Sequence, residues 1–225
     1  MFKAALFDMD GVIVDTEPLH RSAYYQMFND VNIEVSEELY ASFTGKSTQN
    51  ICKQIKNHFQ LPLGVETLIQ LKRHYFKELF ENDKSLELLD GVLELIKDYH
   101  SNNMSLVLAS SASMLNINRI FDRFDLDKYF VGKVSGADLK NSKPDPEIFI
   151  KAAKVSGYSL EECFVIEDST NGINAANAAG IFSVGFKSYH SKNQDYSNAN
   201  IVISEFYEIS SARLQNLDVL KGIYT

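Results

Sequence analysis

Four short apolar, β-prone runs punctuate the chain, at residues 3–7 (KAALF), 105–109 (SLVLA), 163–166 (CFVI) and 182–186 (FSVGF), with helical stretches between the later ones. Runs this short and this continuous suit strands buried on both faces, and strands alternating with helices suit a parallel sheet covered on both sides. A further run at residues 201–203 (IVI) extends the pattern. The expected fold is α/β, a doubly wound parallel sheet.

Residues 15–85 break this rhythm. No β-prone run occurs there, and the apolar residues fall at helical spacing: Ile51, Ile55 and Phe59, then Leu68, Leu71, Tyr75 and Leu79 beside Phe76 and Phe80. An all-helical lobe over 15–85 is expected, inserted into a core domain made of 1–14 and 86–225. Pro18 suits a first helical turn, Ser36 ahead of Glu37 and Glu38 suits a helix start, and Pro62 closes the segment before it. Gly180 suits the left-handed cap of a helix that begins near Asn171, and residues 188–200 read as a polar surface loop. Hinges near 15–17 and 85–89 would let the lobe close over the sheet and exclude water. The alternative is a rigid lobe that only covers one end of the sheet.

In 225 residues there is room for one good core with an inserted lobe, and a 45% hydrophobic composition argues against disorder. The net charge of -8, with lysines scattered, argues against nucleic-acid or anionic-membrane binding as the main activity. An anionic substrate must then be met by a metal or by a few placed cations. Cys52 and Cys163 are the only cysteines and read as buried thiols, not as a disulfide framework or metal site. The first strand leaves no room for a signal peptide, and no apolar run approaches a membrane span, so a cytoplasmic monomer is expected.

In an open parallel sheet, ligands bind at the carboxyl ends of the strands. The first run delivers Asp8 and Asp10, the second Ser110 and Ser111, and the third Glu167 and Asp168, while Lys143 precedes Pro144 in the loop between the second and third. Each has an ordinary reading: Ser110 as a strand-end cap, Lys143 as a solvated side chain, Glu167 and Asp168 as a helix N-terminus. Their joint placement points to chemistry. Asp8, Glu167 and Asp168 brought close would repel unless a cation sat among them, and a few oxygen ligands suit Mg²⁺ completed by waters and a substrate phosphate. Asp8 could attack phosphorus to form an acyl phosphate, and Asp10 could protonate the leaving oxygen and later deprotonate water. Lys143, Ser110 and nearby backbone N–H groups would stabilise the phosphoryl oxygens, with Met9 and Ser111 as candidate substrate contacts.

Four ordered stretches, "FDMDGVIVDTE", "LASS", "SKPDPEIF" and "VIEDSTNGINAANAAG", resemble the four motifs of the haloacid dehalogenase superfamily, in its phosphotransferase branch. Within it the chain is similar to the β-phosphoglucomutase-like proteins with a small helical cap. The resemblance implies Asp8 as nucleophile, Asp10 as general acid and base, and Ser110 and Lys143 as phosphoryl binders. It also implies Mg²⁺ on Asp8, the Asp10 carbonyl and Asp168, with Glu167 as a further ligand or a partner of those ligands. Dehalogenases and phosphonate hydrolases of the superfamily usually lack the second aspartate, so Asp10 argues against both.

Hydrolysis and phosphoryl shuttling on a sugar are harder to separate. β-Phosphoglucomutases are similar at Asp8, Asp10, Thr16 and His20, yet they carry an arginine after a Gly-x-Ser turn where residues 45–50 (GKSTQN) have none. They also carry a serine and a lysine where Ala112 and Ser113 stand. A phosphatase of a small phosphorylated metabolite is therefore expected, with the mutase as alternative and a non-catalytic metal-binding module as a remote one. Among lobe residues, Lys46 could reach a distal group or be solvated, and a compact ammonium does not replace a guanidinium. His20 could orient Asp10 or a substrate hydroxyl or simply be packed, Glu17 could face the site, and Thr16 could cap the helix near Pro18.

Overall fold

The computed structural model describes residues 1–43, 46–187, 191 and 193–214. Strands β1 (Ala4–Phe7), β2 (Ser105–Ser110), β3 (Gly132–Ser135), β4 (Cys163–Glu167), β5 (Phe182–Phe186) and β6 (Ile201–Ile203) form one sheet in the order β3-β2-β1-β4-β5-β6. Every neighbouring pair is parallel. The expected doubly wound sheet is present, with one strand more than the sequence reading contained. β3 has the sequence GKVS and is only half-buried over its first two residues. As an edge strand it escapes the apolar run that burial on both faces imposes. Lys143 accordingly lies beyond β3, between it and β4, and not in a single loop joining neighbouring strands.

Period-two alternation divides the strand residues between two cores. Ala5, Phe7, Leu106, Leu108, Phe164 and Ile166 face one side, where α5 (Val92–Ser101) and α6 (Met114–Phe124) cover them. Ala4, Leu6, Val107, Ala109, Cys163 and Val165 face the other, under α7 (Glu147–Ser156) and α8 (Thr170–Ala178). Phe7 is fully buried, its ring against Tyr99 at 6.3 Å and Phe130 at 5.7 Å. Burial of such a side chain contributes about 1.5–3 kcal/mol. The sheet that carries Asp8 at its carboxyl end is thus rigidly backed on both faces.

Between β1 and α5 the described elements are all helical: α1 (Glu17–Asp30), α2 (Glu37–Ala41), α3 (Thr48–Phe59) and α4 (Val65–Asn82). Pro18 lies in the first turn of α1, and the Ser36 hydroxyl accepts from Leu39 N at 3.2 Å to cap α2. Gly180, at φ +71, follows the end of α8. On α4 the buried stripe runs through Leu68, Ile69, Lys72, Phe76 and Phe80, whereas Leu71, Tyr75 and Leu79 of the expected stripe are only half-buried. The lobe has its own apolar cluster, centred on Tyr24, Met27, Phe28, Ile51, Ile55 and Leu68.

Lobe and core meet through a narrow double connection. Val14 bridges Leu88 in antiparallel fashion, and Leu89 N donates to Ile13 O at 3.0 Å. Polar contacts also span the two bodies further out, from the Arg123 guanidinium of α6 to the Phe80 carbonyl at 3.3 Å and from Asn50 Nδ2 to Ser142 Oγ at 2.6 Å. No helix among the described residues is long and apolar enough to cross a membrane. Gly45 and, from the polar stretch 188–200, residues 188–190 and 192 lie outside the described residues.

Candidate active site

The register places β2, β1 and β4 side by side, so the residues that follow them converge on one end of the sheet. Lys143 ties the group together. Its ammonium donates to Asp8 Oδ1 at 2.5 Å, Glu167 Oε1 at 2.7 Å and the Ala109 carbonyl at 3.2 Å, and it is almost fully buried. Those three bonds use all the donors an ammonium has. In this arrangement Lys143 therefore holds the candidate nucleophile and its neighbour, not an open position for a phosphoryl oxygen. Burial opposes its charge, but the carboxylates of Asp8 and Glu167 hold its pKa above the usual lysine value.

Three buried carboxylates thus face one ammonium. Burial pushes the Asp8 carboxyl up to about 7, against the pull of Lys143 and with Glu167 adding to the rise. Burial, Glu167 and Asp8 together push Asp168 well above the carboxylate range. Both oxygens of Glu167 are engaged: Oε1 by Lys143, Oε2 by Ser169 N at 2.7 Å and the Ser169 hydroxyl at 2.8 Å. Asp168 accepts from the Ser191 hydroxyl, and its carbonyl accepts from Tyr196 OH at 2.9 Å. Among the described residues no three His, Cys, Asp or Glu side chains close on a single point. Mg²⁺ does not require that, since it is commonly held by one or two carboxylates with waters and substrate oxygens. The all-oxygen donors of Asp8 and Asp168, in a cluster of three carboxylates with a single ammonium, fit it, with Glu167 bound to Lys143 and Ser169 instead.

Two glycines make this cluster sterically feasible. Gly11 has φ +84 in the turn after β1, and a β-carbon there would stand 2.1 Å from Asp168 Oδ2. In α8, a β-carbon on Gly172 would stand 1.8 Å from Glu167 Oε1. Both carboxylates occupy space that only a missing side chain leaves open.

Asp10 belongs to a different set of contacts. It accepts from the Thr16 hydroxyl, and His20 Nε2 lies 3.7 Å from its Oδ1. The other ring nitrogen of His20, Nδ1, is 2.5 Å from Lys72 Nζ. A lysine ammonium can only donate, so Nδ1 accepts and Nε2 carries the proton that points toward Asp10. Burial and the Lys72 charge hold His20 below its ordinary pKa, while burial pushes Lys72 down to about 8. Although burial would raise Asp10, the contacts with His20 and Thr16 prevail and hold it below the usual range. Thr16 does not cap α1 with its side chain, because its hydroxyl is given to Asp10.

Above the cluster, core and lobe enclose a cleft of about 350 Å³. Asp8, Asp10, Ser110, Ser111, Glu167 and Asp168 form its floor, and Glu17, His20, Lys46 and Lys72 its lobe side. Ser110 is buried and its hydroxyl also accepts from Ala112 N at 3.1 Å, so it lines the cleft and caps the turn. Lys46 donates to Gln54 at 3.1 Å, and Glu17 accepts from Tyr40 OH at 2.9 Å. Met9 is the site residue that the structure moves elsewhere. Its side chain is packed in the core beneath the turn, because the residue between two cleft-facing aspartates turns to the opposite side. The sequence reading passed over Lys72, Ser191 and Tyr196. Lys72 had a signal, since it interrupts the i, i+4 series Leu68, Phe76 and Phe80; the other two had none.

A family model of haloacid dehalogenase-like hydrolases matches residues 5–186. A phosphorylated-carbohydrate phosphatase of Thermotoga maritima is 31% identical over 183 residues, covering 80% of this chain and 82% of that protein. A β-phosphoglucomutase of Bacillus subtilis is 30% identical over 192 residues, covering 81% and 82%. Among solved structures, a β-phosphoglucomutase of Clostridium difficile superposes with a TM-score of 0.86 at 28% identity, covering 98% of this chain and 100% of that one. The matched span contains the whole carboxylate cluster, Lys143 and both glycines that accommodate it, and the chain belongs to the haloacid dehalogenase-like hydrolase family.

Proposed function

We propose that the chain is a Mg²⁺-dependent phosphatase of small phosphorylated sugars that works through a phosphorylated Asp8, with residues 15–85 as a cap over the active site. The observation that carries this reading is the separation of two aspartates only two residues apart: Asp8 is held by Lys143, whereas Asp10 is held by Thr16 and His20. Two carboxyl groups in different surroundings can take different roles.

With one oxygen fixed by Lys143, the Asp8 carboxylate attacks phosphorus and the ester P–O bond breaks. Asp10 gives its proton to the departing sugar oxygen. Water then attacks the phosphorylated Asp8, Asp10 takes the water proton, and the acyl phosphate P–O bond breaks to release inorganic phosphate. The hydrogen-bonded, ionised Asp10 suits the second half; the negative charge of an arriving phosphate raises its pKa and loads the proton needed for the first. Asp8, Asp168 and the Asp10 carbonyl would hold Mg²⁺, which when bound supplies charge neutralisation for the phosphoryl oxygens. Ser110 and the backbone after β2 would hydrogen-bond those oxygens, a role supported by the presence of Ser110, Ser111 and Ala112 in the cleft lining.

The mutase reading stands beside this one because a phosphoglucomutase and a phosphatase match at nearly equal identity. Threonine at position 48, and Ala112 with Ser113 after β2, favour hydrolysis. Phosphorus NMR with β-glucose 1-phosphate, Mg²⁺ and a trace of glucose 1,6-bisphosphate separates the two. Inorganic phosphate is the expected product here or across a panel of sugar phosphates; glucose 6-phosphate would make the chain a mutase. Asp8→Asn is expected to abolish either reaction, and retained turnover would remove Asp8 as nucleophile.

A further inference from the structure

The bonds of residues 191 and 194–196 converge on the turn that carries Asp168. The Ser191 hydroxyl, in the wall of the cleft, donates to Asp168 Oδ2, and Tyr196 OH donates to the Asp168 carbonyl at 2.9 Å. Gln194 Oε1 accepts from Thr170 N at 2.8 Å, and Asp195 N donates to Thr170 Oγ1 at 2.7 Å. These bonds hold residues 168–170 from outside the sheet, and one of them satisfies an N–H that the start of α8 leaves without a helical partner.

The far end of the same segment is anchored in turn. A β-carbon on Gly185, inside β5, would stand 2.9 Å from the Tyr196 ring and 3.1 Å from Ala199 Cβ. Glycine weakens a strand, and here it marks the place where another part of the chain lies close against the sheet. On α8, Asn177 Nδ2 donates to the Asn198 carbonyl at 2.6 Å, and Asn174 Oδ1 accepts from Asn198 Nδ2 at 2.9 Å. Asparagine is a poor helix former, and both of these serve the segment that crosses above them.

The bond with a chemical consequence is the one on Oδ2. That oxygen also faces Gly11, where a β-carbon would stand 2.1 Å from it and 3.1 Å from Oδ1. Oδ2 is thus held between Gly11 and Ser191, while among the described residues no hydrogen bond reaches Oδ1. A carboxylate with one oxygen occupied offers a cation the other alone. Mg²⁺ suits this, since it demands a near-ideal octahedron at short distance, whereas the larger Ca²⁺ takes six to eight oxygens and readily binds a carboxylate through both.

We propose that Ser191 is a positioning residue for Asp168: it occupies Oδ2, leaves Oδ1 for the metal, and thereby favours Mg²⁺ over Ca²⁺, with Tyr196 and Gln194 fixing the segment that carries it. The proposal rests on the reading of Asp8 and Asp168 as metal ligands in a phosphatase and adds to it a residue more than twenty positions away in the chain.

Calorimetric titration of MgCl₂ and of CaCl₂ into the metal-stripped chain, without substrate, tests it. Ser191→Ala is expected to weaken Mg²⁺ binding roughly 10- to 100-fold, as removal of a partner that orients a metal ligand does. Ca²⁺ binding should weaken less, so that the preference for Mg²⁺ falls. Ser191→Thr keeps the hydroxyl and should restore both affinities. Tyr196→Phe keeps the ring over Gly185, loses the bond to the Asp168 carbonyl, and should give a smaller loss in the same direction. Unchanged affinities in Ser191→Ala, or an equal loss for the two ions, would overturn the proposal, and so would a wild-type chain that binds no Mg²⁺.

Assay of p-nitrophenyl phosphate keeps the two ideas apart. Hydrolysis together with Mg²⁺ affinity indifferent to Ser191 would overturn the positioning role and leave the phosphatase reading standing. Mg²⁺ binding and selectivity that depend on Ser191, with no ester hydrolysed, would support the role and sink the phosphatase reading.

Discussion

A carboxylate shut away from water beside other carboxylates keeps its proton longer, and Asp8 and Asp168 are both in that position. Their native pKa values stand above that of an unfolded aspartate, near 4. The metal-free native chain therefore binds more protons than the unfolded chain in this interval. The stability these groups contribute is complete below about pH 4 and is lost as pH rises through the native value, about 7 for Asp8. A divalent cation competes with the same protons, so its benefit grows as they leave. Scanning calorimetry with Mg²⁺ and with EDTA is expected to show a small difference in Tm at about pH 5 and a difference of several degrees at about pH 8. A Tm difference independent of pH would mean that Mg²⁺ does not replace these protons. At this scale the sequence disclosed the candidate residues, each of them readable within one chain segment: Asp8, Asp10, Ser110, Lys143, Glu167 and Asp168. It did not disclose Ser191 and Tyr196, whose contact with Asp168 spans more than twenty residues and has no local pattern.

The elements beside the candidate catalytic side chains have compositions adjusted to them. In α8, alanine at position 172 would favour the helix by about 1 kcal/mol over glycine, yet the added β-carbon would stand 1.8 Å from the Glu167 carboxylate. Overlap at that distance outweighs propensity, because Glu167 would have to give up its bonds to Lys143 and Ser169. Gly172→Ala is expected to destabilise by about 1–3 kcal/mol in urea denaturation and to lower phosphatase activity more than tenfold; a stabilised, active variant would contradict this account. On α4 the balance runs the other way. Lys72 is 1% exposed, lies over the rings of Tyr24 and Phe76, and has His20, not a carboxylate, as its polar partner among the described residues. Lys72→Met removes a buried charge at similar volume. It should be neutral or raise stability by about 1–3 kcal/mol, while kcat falls because His20 loses its donor and no longer orients Asp10. Denaturation and steady-state kinetics together decide it, and a loss of stability would show that the ammonium has a structural role.

At the scale of the whole molecule, the lobe joins the core through two adjacent connections near Val14 and Leu88 and meets it again where Arg123 bonds the Phe80 carbonyl and, furthest out, at Asn50 and Ser142. If cleft closure depends on that outer contact, Asn50→Ala should raise KM about two- to tenfold, the loss of roughly one hydrogen bond, with Tm nearly unchanged. A fall in Tm with KM unaltered would make the contact a structural tie instead. The parallel sheet, the all-helical stretch between β1 and α5 and the gathering of candidate residues at strand ends were legible in the sequence. Buried strands must be apolar and amphipathic helices periodic, so sequence alone determined those elements and which side chains stand at their ends. β3 was not legible, because an edge strand is under no such constraint. Nor was the direction of Met9, which shares its segment with Asp8 and Asp10 yet points into the core. Tertiary structure alone decided which carboxylates share Lys143 and that Thr16 serves Asp10 and not its helix. Those are distances between residues far apart in the chain, and burial and pairing acquire their energies only when the fold has closed the space around them.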